Sequence, residues 1–341
     1  MVSTEKLESE YNNTTDYLQK FGYRKYEGEL LDRKSRITSL IWFEVRSTWH
    51  RSTFGKVLLV IIMMFNFLAI SISAAVANFT AGEDKDVMRD VLNGFVGSYL
   101  NFGNDYIHSS STTASFSIQM NVGILIIALF AISGSGLFAD DKSGKVIEIY
   151  LSRLQKKEYI IGKIGSILIY VNVFLLAPLL IGSVIYVQSF DKLSHLDSLG
   201  FYLGVIVYCF LSSLLIGLGI LSFSIISEKR QYASLGFFLV YLLGSIFGMI
   251  LVEIDPDNEF LLLASPSFLL MLLAFVCLGD YNLGIATGFE GEEFERIYKP
   301  FLLNDGNGLE YWHVLAVTFL LIALMIAFLS FKIRRMTTAE L

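Results

Sequence analysis

The sequence predicts an all-α polytopic membrane protein of six transmembrane helices, with an interfacial helix on the inner side and a re-entrant helical hairpin on the outer side. Three observations predict it. Apolar residues make up 54% of the chain and charged residues only 17%, whereas soluble domains run near half apolar and a quarter charged. Seven intervals hold no Asp, Glu, Lys or Arg: 57–82, 106–139, 164–190, 198–227, 231–252, 260–279 and 311–331. Each is at least as long as the roughly 20 apolar residues a helix needs to cross a hydrocarbon core of about 30 Å. The third observation is how the basic residues fall when six of these intervals are threaded through a bilayer.

Lys and Arg are retained on the cytoplasmic side of membrane-flanking loops. With both termini inside and 260–279 not crossing, 21 of the 26 Lys and Arg are cytoplasmic, and only Lys85, Arg89, Lys192, Arg296 and Lys299 lie outside, together with 18 of the 32 acidic residues. A seventh crossing would move the acidic stretch 280–310 inside and the Lys332, Arg334, Arg335 tail outside. Interval 260–279 is also interrupted at Ser265-Pro266-Ser267, where proline removes a helix donor and clashes with the preceding turn. Two short helices dipping into the outer leaflet are therefore expected, a break that is tolerable where protein surrounds it.

The elements follow in order. Residues 1–35 form a cytoplasmic arm of mixed charge, and 36–54 an amphipathic helix with Ile37, Leu40, Ile41, Val45 and Trp49 at helical spacing. Trp42 and Trp49 suit headgroup depth. The six-helix transmembrane domain covers 55–331, with extracellular loops 78–114 and 253–310, an intracellular loop 140–163 and a cytoplasmic tail 332–341. No cleavable signal precedes the first apolar run, so that run is expected to serve as signal-anchor in the plasma membrane. Asn78-Phe79-Thr80 is a sequon within a few residues of the first span.

Candidate chemistry is sparse. Ser143-Gly144-Lys145 hints at a phosphate loop, but Ala139 and Val146 stand where that pattern needs Gly and Ser or Thr. His50, His108, His195 and His313 never pair at metal-ligand spacing, and Cys209 and Cys277 both lie in apolar windows. Ser135 has Ser133 rather than Gly two residues before it, and the small Gly134 and Gly136 suit close helix packing better than a serine nucleophile. No catalytic, metal or cofactor residue is expected. With the acidic excess outside and no basic patch, no nucleic-acid partner is expected either.

The informative stretch is Asp140-Asp141-Lys142-Ser143-Gly144-Lys145-Val146-Ile147-Glu148-Ile149-Tyr150-Leu151-Ser152-Arg153-Leu154, leading to Gly162-Lys163. On a helix Ile147, Tyr150, Leu151 and Leu154 share one face while Lys145, Glu148 and Ser152 point away. A docking helix, or a solvated loop that is merely amphipathic, fits that pattern. The stretch resembles the loop between the second and third spans of ATP-binding cassette (ABC) export permeases of the type-2 membrane-subunit family. Asp140, Gly144, Glu148, Leu151, Ser152, Arg153, Gly162 and Lys163 match that pattern in order, while Lys145 replaces a Thr and Leu154 a Pro. The layout from about residue 30 onward fits the same family.

The resemblance implies that Asp140, Gly144, Ile147, Glu148, Tyr150, Leu151, Arg153 and Leu154 form a coupling helix seated in an ATPase subunit. Glu228, Lys229 and Arg230 would form a second, smaller contact. It further implies a permease, an exporter, in which a second permease copy and two ABC ATP-binding subunits assemble, ATP being bound and hydrolysed by the partner. Gly244 and Gly248 have the small-xxx-small spacing that admits either a dimer contact or packing within one protomer. Asn66, Gln119, Asn121 and Asn172 are polar groups inside apolar windows, candidates for a translocation path or for interhelix hydrogen bonds. A non-transporting accessory or scaffold subunit would share the topology without needing the coupling stretch.

Overall fold

The computed structural model describes residues 32–51, 114–144, 154–189, 198–254, 259–278 and 309–338, and scattered positions between them (56–57, 60–64, 67–68, 71, 92, 96, 99–100, 146–147, 150 and 195). Among the described residues every regular element is helical. The chain divides into a short unit, Met1–Arg36, and a large one, Ile37–Leu341. The helices are α1 (Arg33–Arg51), α2 (Ala114–Gly134), α3 (Gly136–Ser143), α4 (Lys156–Gln188), α5 (Leu199–Ile226), α6 (Arg230–Ile254), a 3₁₀ segment (Glu259–Ala264), α7 (Pro266–Leu278) and α8 (Tyr311–Thr338).

Among the described residues five helical stretches are long and apolar enough to cross a membrane: Gly123–Ser143, Lys156–Gln188, Leu199–Ile226, Arg230–Gly248 and Tyr311–Arg335. The protein is a helical, multi-pass membrane protein. Its outer surface agrees: Leu235, Leu243 and Phe247 of α6 and Phe319, Leu320 and Phe331 of α8 are more than half exposed. Water would penalise so much contiguous apolar surface, and lipid does not. Within the helices Ser183, Ser222 and Ser245 return their hydroxyls to the carbonyls of Leu179, Leu218 and Tyr241, which satisfies them without any partner outside their own helix.

Helix α5 is the hub, packing against α2, α3, α4, α6, α7 and α8. It is apolar all round: Phe201, Val205, Tyr208 and Cys209 are buried, while Leu203, Ile206, Val207 and Phe210 are exposed. Gly204 lets α7 approach so closely that a Cβ there would collide with the Cys277 carbonyl. Helix α7 is short, about 20 Å at 1.5 Å per residue, and Ser267 through Phe275 are all buried. Its first residue is Pro266, the one helical position where a missing N–H costs nothing. The break expected at Ser265-Pro266-Ser267 therefore separates a 3₁₀ segment from an α-helix.

That break also occupies the glycine face of α6. A Cβ on Gly244 would lie 3.1 Å from Cδ of Pro266, and one on Gly248 would overlap the side chain of Ser265. The small-xxx-small spacing is taken up by packing within one chain.

Interval 106–139 departs from expectation. Instead of one helix it yields α2 and α3, which meet at Ser135. In an unbroken helix the Ile132 carbonyl would accept from the N–H of Gly136, and that of Ser135 from the N–H of Ala139. Here Ser224 of α5 enters the ladder: its hydroxyl donates to the Ser135 carbonyl (2.6 Å) and accepts from the N–H groups of Phe138 (3.0 Å) and Ala139 (3.1 Å). Arg230 of α6 donates through Nε (2.9 Å) and Nη2 (2.6 Å) to the Ile132 carbonyl. Inserted side chains and Gly/Ser neighbours are recognised causes of such kinks, and both are present at Gly134-Ser135-Gly136.

Asn66, the sequon at 78–80, most of loops 78–114 and 253–310 and nearly all of the N-terminal arm lie outside the described residues. Each described residue from 56 to 71 is helical.

Candidate functional site

The 144–155 loop leaves α3 and enters α4, and both ends are built locally. Gly144 closes α3 by donating its N–H to the Asp140 carbonyl at 2.9 Å. At the other end Gln155 and Glu158 form a capping box, the Gln155 N–H donating to Glu158 Oε2 at 3.1 Å, which satisfies donors that a helix start leaves open. Helix α4 is 33 residues long, about 50 Å, some 20 Å more than a hydrocarbon core requires. Its first turns therefore have room to lie outside the apolar layer.

Two turns into α4 stands Lys163, fully buried. Its ammonium is held by Glu44 Oε1 of α1 at 2.7 Å and by Asp141 Oδ2 of α3 at 2.6 Å. The hydroxyl of Tyr159 donates to the same Asp141 oxygen at 2.7 Å. The rings of Tyr150 and Tyr159 lie 5.7 and 5.4 Å from the ammonium, within cation–π range. Phe138 meets Tyr159 edge-on at 5.7 Å. One cation thus joins three elements, α1, α3 and α4, and the carboxylates outnumber it.

Close helix contact makes the junction possible. On α1 the buried line is Leu40, Glu44 and Thr48, at i, i+4 and i+8. Leu40 presses on Gly162, where a Cβ would overlap its side chain, and Ile41 fits over Gly165. Trp49 stacks on Phe174 with centroids 5.8 Å apart. The apolar pattern expected for α1 is present, and Glu44, which is no part of that pattern, faces inward with it. Trp42 and Phe43 are exposed.

Sequence reasoning missed Glu44 and Asp141, and noted Lys163 only as part of a Gly-Lys match. The local signal for Glu44 is weak, because its partner lies 119 residues away. The stripe of Leu40, Glu44 and Thr48 is the one trace it leaves in the sequence.

The residues expected to couple are divided by the structure. Tyr150 and Leu154 are half-buried and pack against the protein's own core, and the Tyr150 ring lies 5.7 Å from that of Tyr159. Ile147 is half-buried. Glu148, Leu151 and Arg153 lie outside the described residues. The second contact turn is adjacent to the first, since Lys142 Nζ donates to the Ile226 carbonyl at 3.4 Å. Glu228 and Lys229 are exposed on that turn, Lys229 over the Tyr232 ring at 5.9 Å, and Arg230 serves the α2–α3 break. Asn172 donates to the Leu168 carbonyl of its own helix at 3.1 Å. The side chains of Gln119 and Asn121 are not among those described.

No protein-family model and no curated protein matches the chain. Its function is therefore argued from its own residues. Two of the cavities among the described residues lie between the membrane helices. A largely apolar one of about 370 Å³ lies among α5, α6, the 3₁₀ segment, α7 and α8. An open groove of about 550 Å³ runs between α2 and α6. Glu44, Asp141 and Lys163 line neither. The cluster ties the two ends of the loop, Asp141 on α3 and Lys163 on α4, to Glu44 of α1.

Proposed function

We propose that the chain is the membrane-spanning permease subunit of an ATP-binding cassette transporter, an exporter that pairs with a second permease copy and borrows energy from two separate ATPase subunits. The observation that carries the reading is the Glu44–Lys163–Asp141 junction. A force applied by a partner to the 144–155 loop would act on Asp141 at one end and Lys163 at the other, and through Glu44 on α1. The adjacency of the second turn through Lys142 supports it, because one partner could touch both turns. The inward packing of Tyr150 and Leu154 limits the docking area to the remaining faces of the loop.

The finer topology belongs to the same proposal. Six crossings are proposed, the first over 57–82, with both termini and the 144–155 loop in the cytoplasm and with 260–279 entering and leaving on the outer side. The brevity of α7 and the burial of Ser267 through Phe275 support the last point. Single cysteines in a Cys209→Ser, Cys277→Ser background, probed from outside intact cells with a membrane-impermeant maleimide, are expected to react at 290–305 and not at 336–341. Labelling of the tail would overturn the six-span arrangement.

The functional test is co-purification. Full-length tagged protein drawn from its native membrane is expected to bring down a stoichiometric ATP-binding subunit with vanadate-sensitive ATPase activity. Leu151→Asp, which places a charge in the loop and none in a span, is expected to reduce both at least tenfold at unchanged expression. Absence of an ATPase from the wild-type preparation would leave the accessory-subunit reading in its place.

A further inference from the structure

Helices α6 and α8 each pack on α5 and on α7, with the cavity of about 370 Å³ between them. Its long walls are Leu215, Ile216, Gly219 and Phe223 of α5 and Val317, Leu321 and Met325 of α8. Each set falls along one face of its helix, on α8 at i, i+4 and i+8, and each runs about 12 Å from its first residue to its last. Neither set includes a polar side chain at any point of that length. Pro266, Leu269 and Leu270 close the cavity on the α7 side.

The cavity offers a ligand no charge. Among the described residues no ionic side chain lines it, and the one lining hydroxyl, that of Tyr241, donates to the Leu100 carbonyl at 3.0 Å. Two lining residues, Val240 of α6 and Ala264 of the 3₁₀ segment, are exposed. Val240 stands between the exposed Leu239 and Leu243, so the mouth opens on the lipid-facing side of the bundle. Helices α5 and α8 are long and apolar enough to cross the membrane, and walls that run along them run with the bilayer normal, as acyl chains do.

We infer that this cavity is a binding site for one acyl chain of a bilayer lipid, which enters past Val240 between α6 and α8 and leaves its headgroup outside. An apolar cavity of about 150 Å³ stays dry and takes up benzene. One more than twice that size, open to liquid hydrocarbon, is filled by it, because the wall atoms regain the dispersion contacts that a void forfeits. The uncharged lining excludes a headgroup, and two apolar walls of about 12 Å suit a linear chain lying along the helices. The inference depends on the membrane embedding of α5, α6 and α8, and not on the permease reading.

The test uses the full chain in phosphatidylcholine nanodiscs doped with phosphatidylcholine that carries a photoactivatable group near the end of one acyl chain, the adducts being mapped by mass spectrometry. Leu269 and Leu270 are 4% and 3% exposed, so a chain reaches them only through the cavity, whereas Phe331, 62% exposed, meets the lipid around the bundle. Adducts are expected at 269–270 as well as at Phe331. Val240→Trp, which puts an indole across the mouth, is expected to cut those at 269–270 at least fivefold, with the yield at Phe331 and the melting temperature unchanged. Val317→Trp, which fills the cavity from the α8 side, supplies a second variant and is expected to do the same. Decane at about a tenth of the lipid is expected not to displace the chain. Adducts confined to Phe331, adducts at 269–270 that persist in both Trp variants, or displacement by decane would each overturn the proposal, the last by assigning the cavity to a free apolar molecule.

Discussion

Lys163→Met is expected to lower the unfolding free energy by about 3 to 5 kcal/mol, the cost of removing one partner from a buried ion pair. Glu44 and Asp141 both lie within 2.7 Å of the same nitrogen, so its loss removes from two neighbouring buried carboxylates the cation that joins them. Met keeps most of the volume of the Lys stem, which holds any cavity contribution small. Glu44→Gln should cost less, because Lys163 keeps Asp141 and the Gln amide can still accept from its ammonium. The triple variant Lys163→Met, Glu44→Gln, Asp141→Asn should recover much of the loss, since a buried ionic cluster replaced as a whole is often near neutral. Thermal or SDS unfolding of the full chain in one detergent measures all three. A loss below about 1 kcal/mol for Lys163→Met, the range of an exposed pair, would show that the junction is open to water and would remove its mechanical role.

The triple variant also separates strength from coupling. If the junction transmits force from the loop, restoring stability without restoring the charges should leave partner-driven turnover impaired. Recovery of stability and turnover together would assign the cluster to folding alone.

Much of the fold was legible because lipid makes a long apolar run almost synonymous with a helix. Intervals 198–227 and 231–252 became Leu199–Ile226 and Arg230–Ile254, and the Pro266 break fell where the ring forbids a continuous ladder. What could not be read is whatever depends on a distant partner. Glu44 looks like a solvent residue until Lys163 is brought to it, and the ring contact of Tyr150 with Tyr159 at 5.7 Å joins residues whose apposition no local pattern announces. Gly244 and Gly248 announce a close contact without saying whether Ser265 and Pro266 or a second chain supplies it. The Ser135 break had a local signal in Gly134-Ser135-Gly136, but Ser224 and Arg230, which stabilise it, are 89 and 98 residues away from the carbonyls they serve.

Ser224→Ala is expected to lower stability by about 2 to 4 kcal/mol, because one buried hydroxyl serves three backbone groups and each group left without a partner costs roughly 1 to 3 kcal/mol. The sum falls short of three full penalties because the helix has an alternative. If α2 and α3 join into one continuous helix, the Ala139 N–H can donate to the Ser135 carbonyl directly, and part of the loss is regained. That repair has a consequence at the junction. Asp141 lies on α3 only two residues beyond Ala139, so straightening the helix would carry its carboxylate away from Lys163 and Tyr159. The variant should therefore be destabilised at the break, at the junction, or at both. Combining Ser224→Ala with Lys163→Met separates these cases, since distant independent losses add and coupled ones do not. Additive losses would mean that the break persists in a strained form and the junction is intact. A double variant no less stable than Lys163→Met alone would mean that Ser224 acts mainly by aiming α3 at the junction. Unfolding curves for the two single variants, the double variant and the wild type, measured in the same lipid–detergent mixture, decide between them. A Ser224→Ala protein as stable as wild type would contradict the bonding pattern at the break altogether.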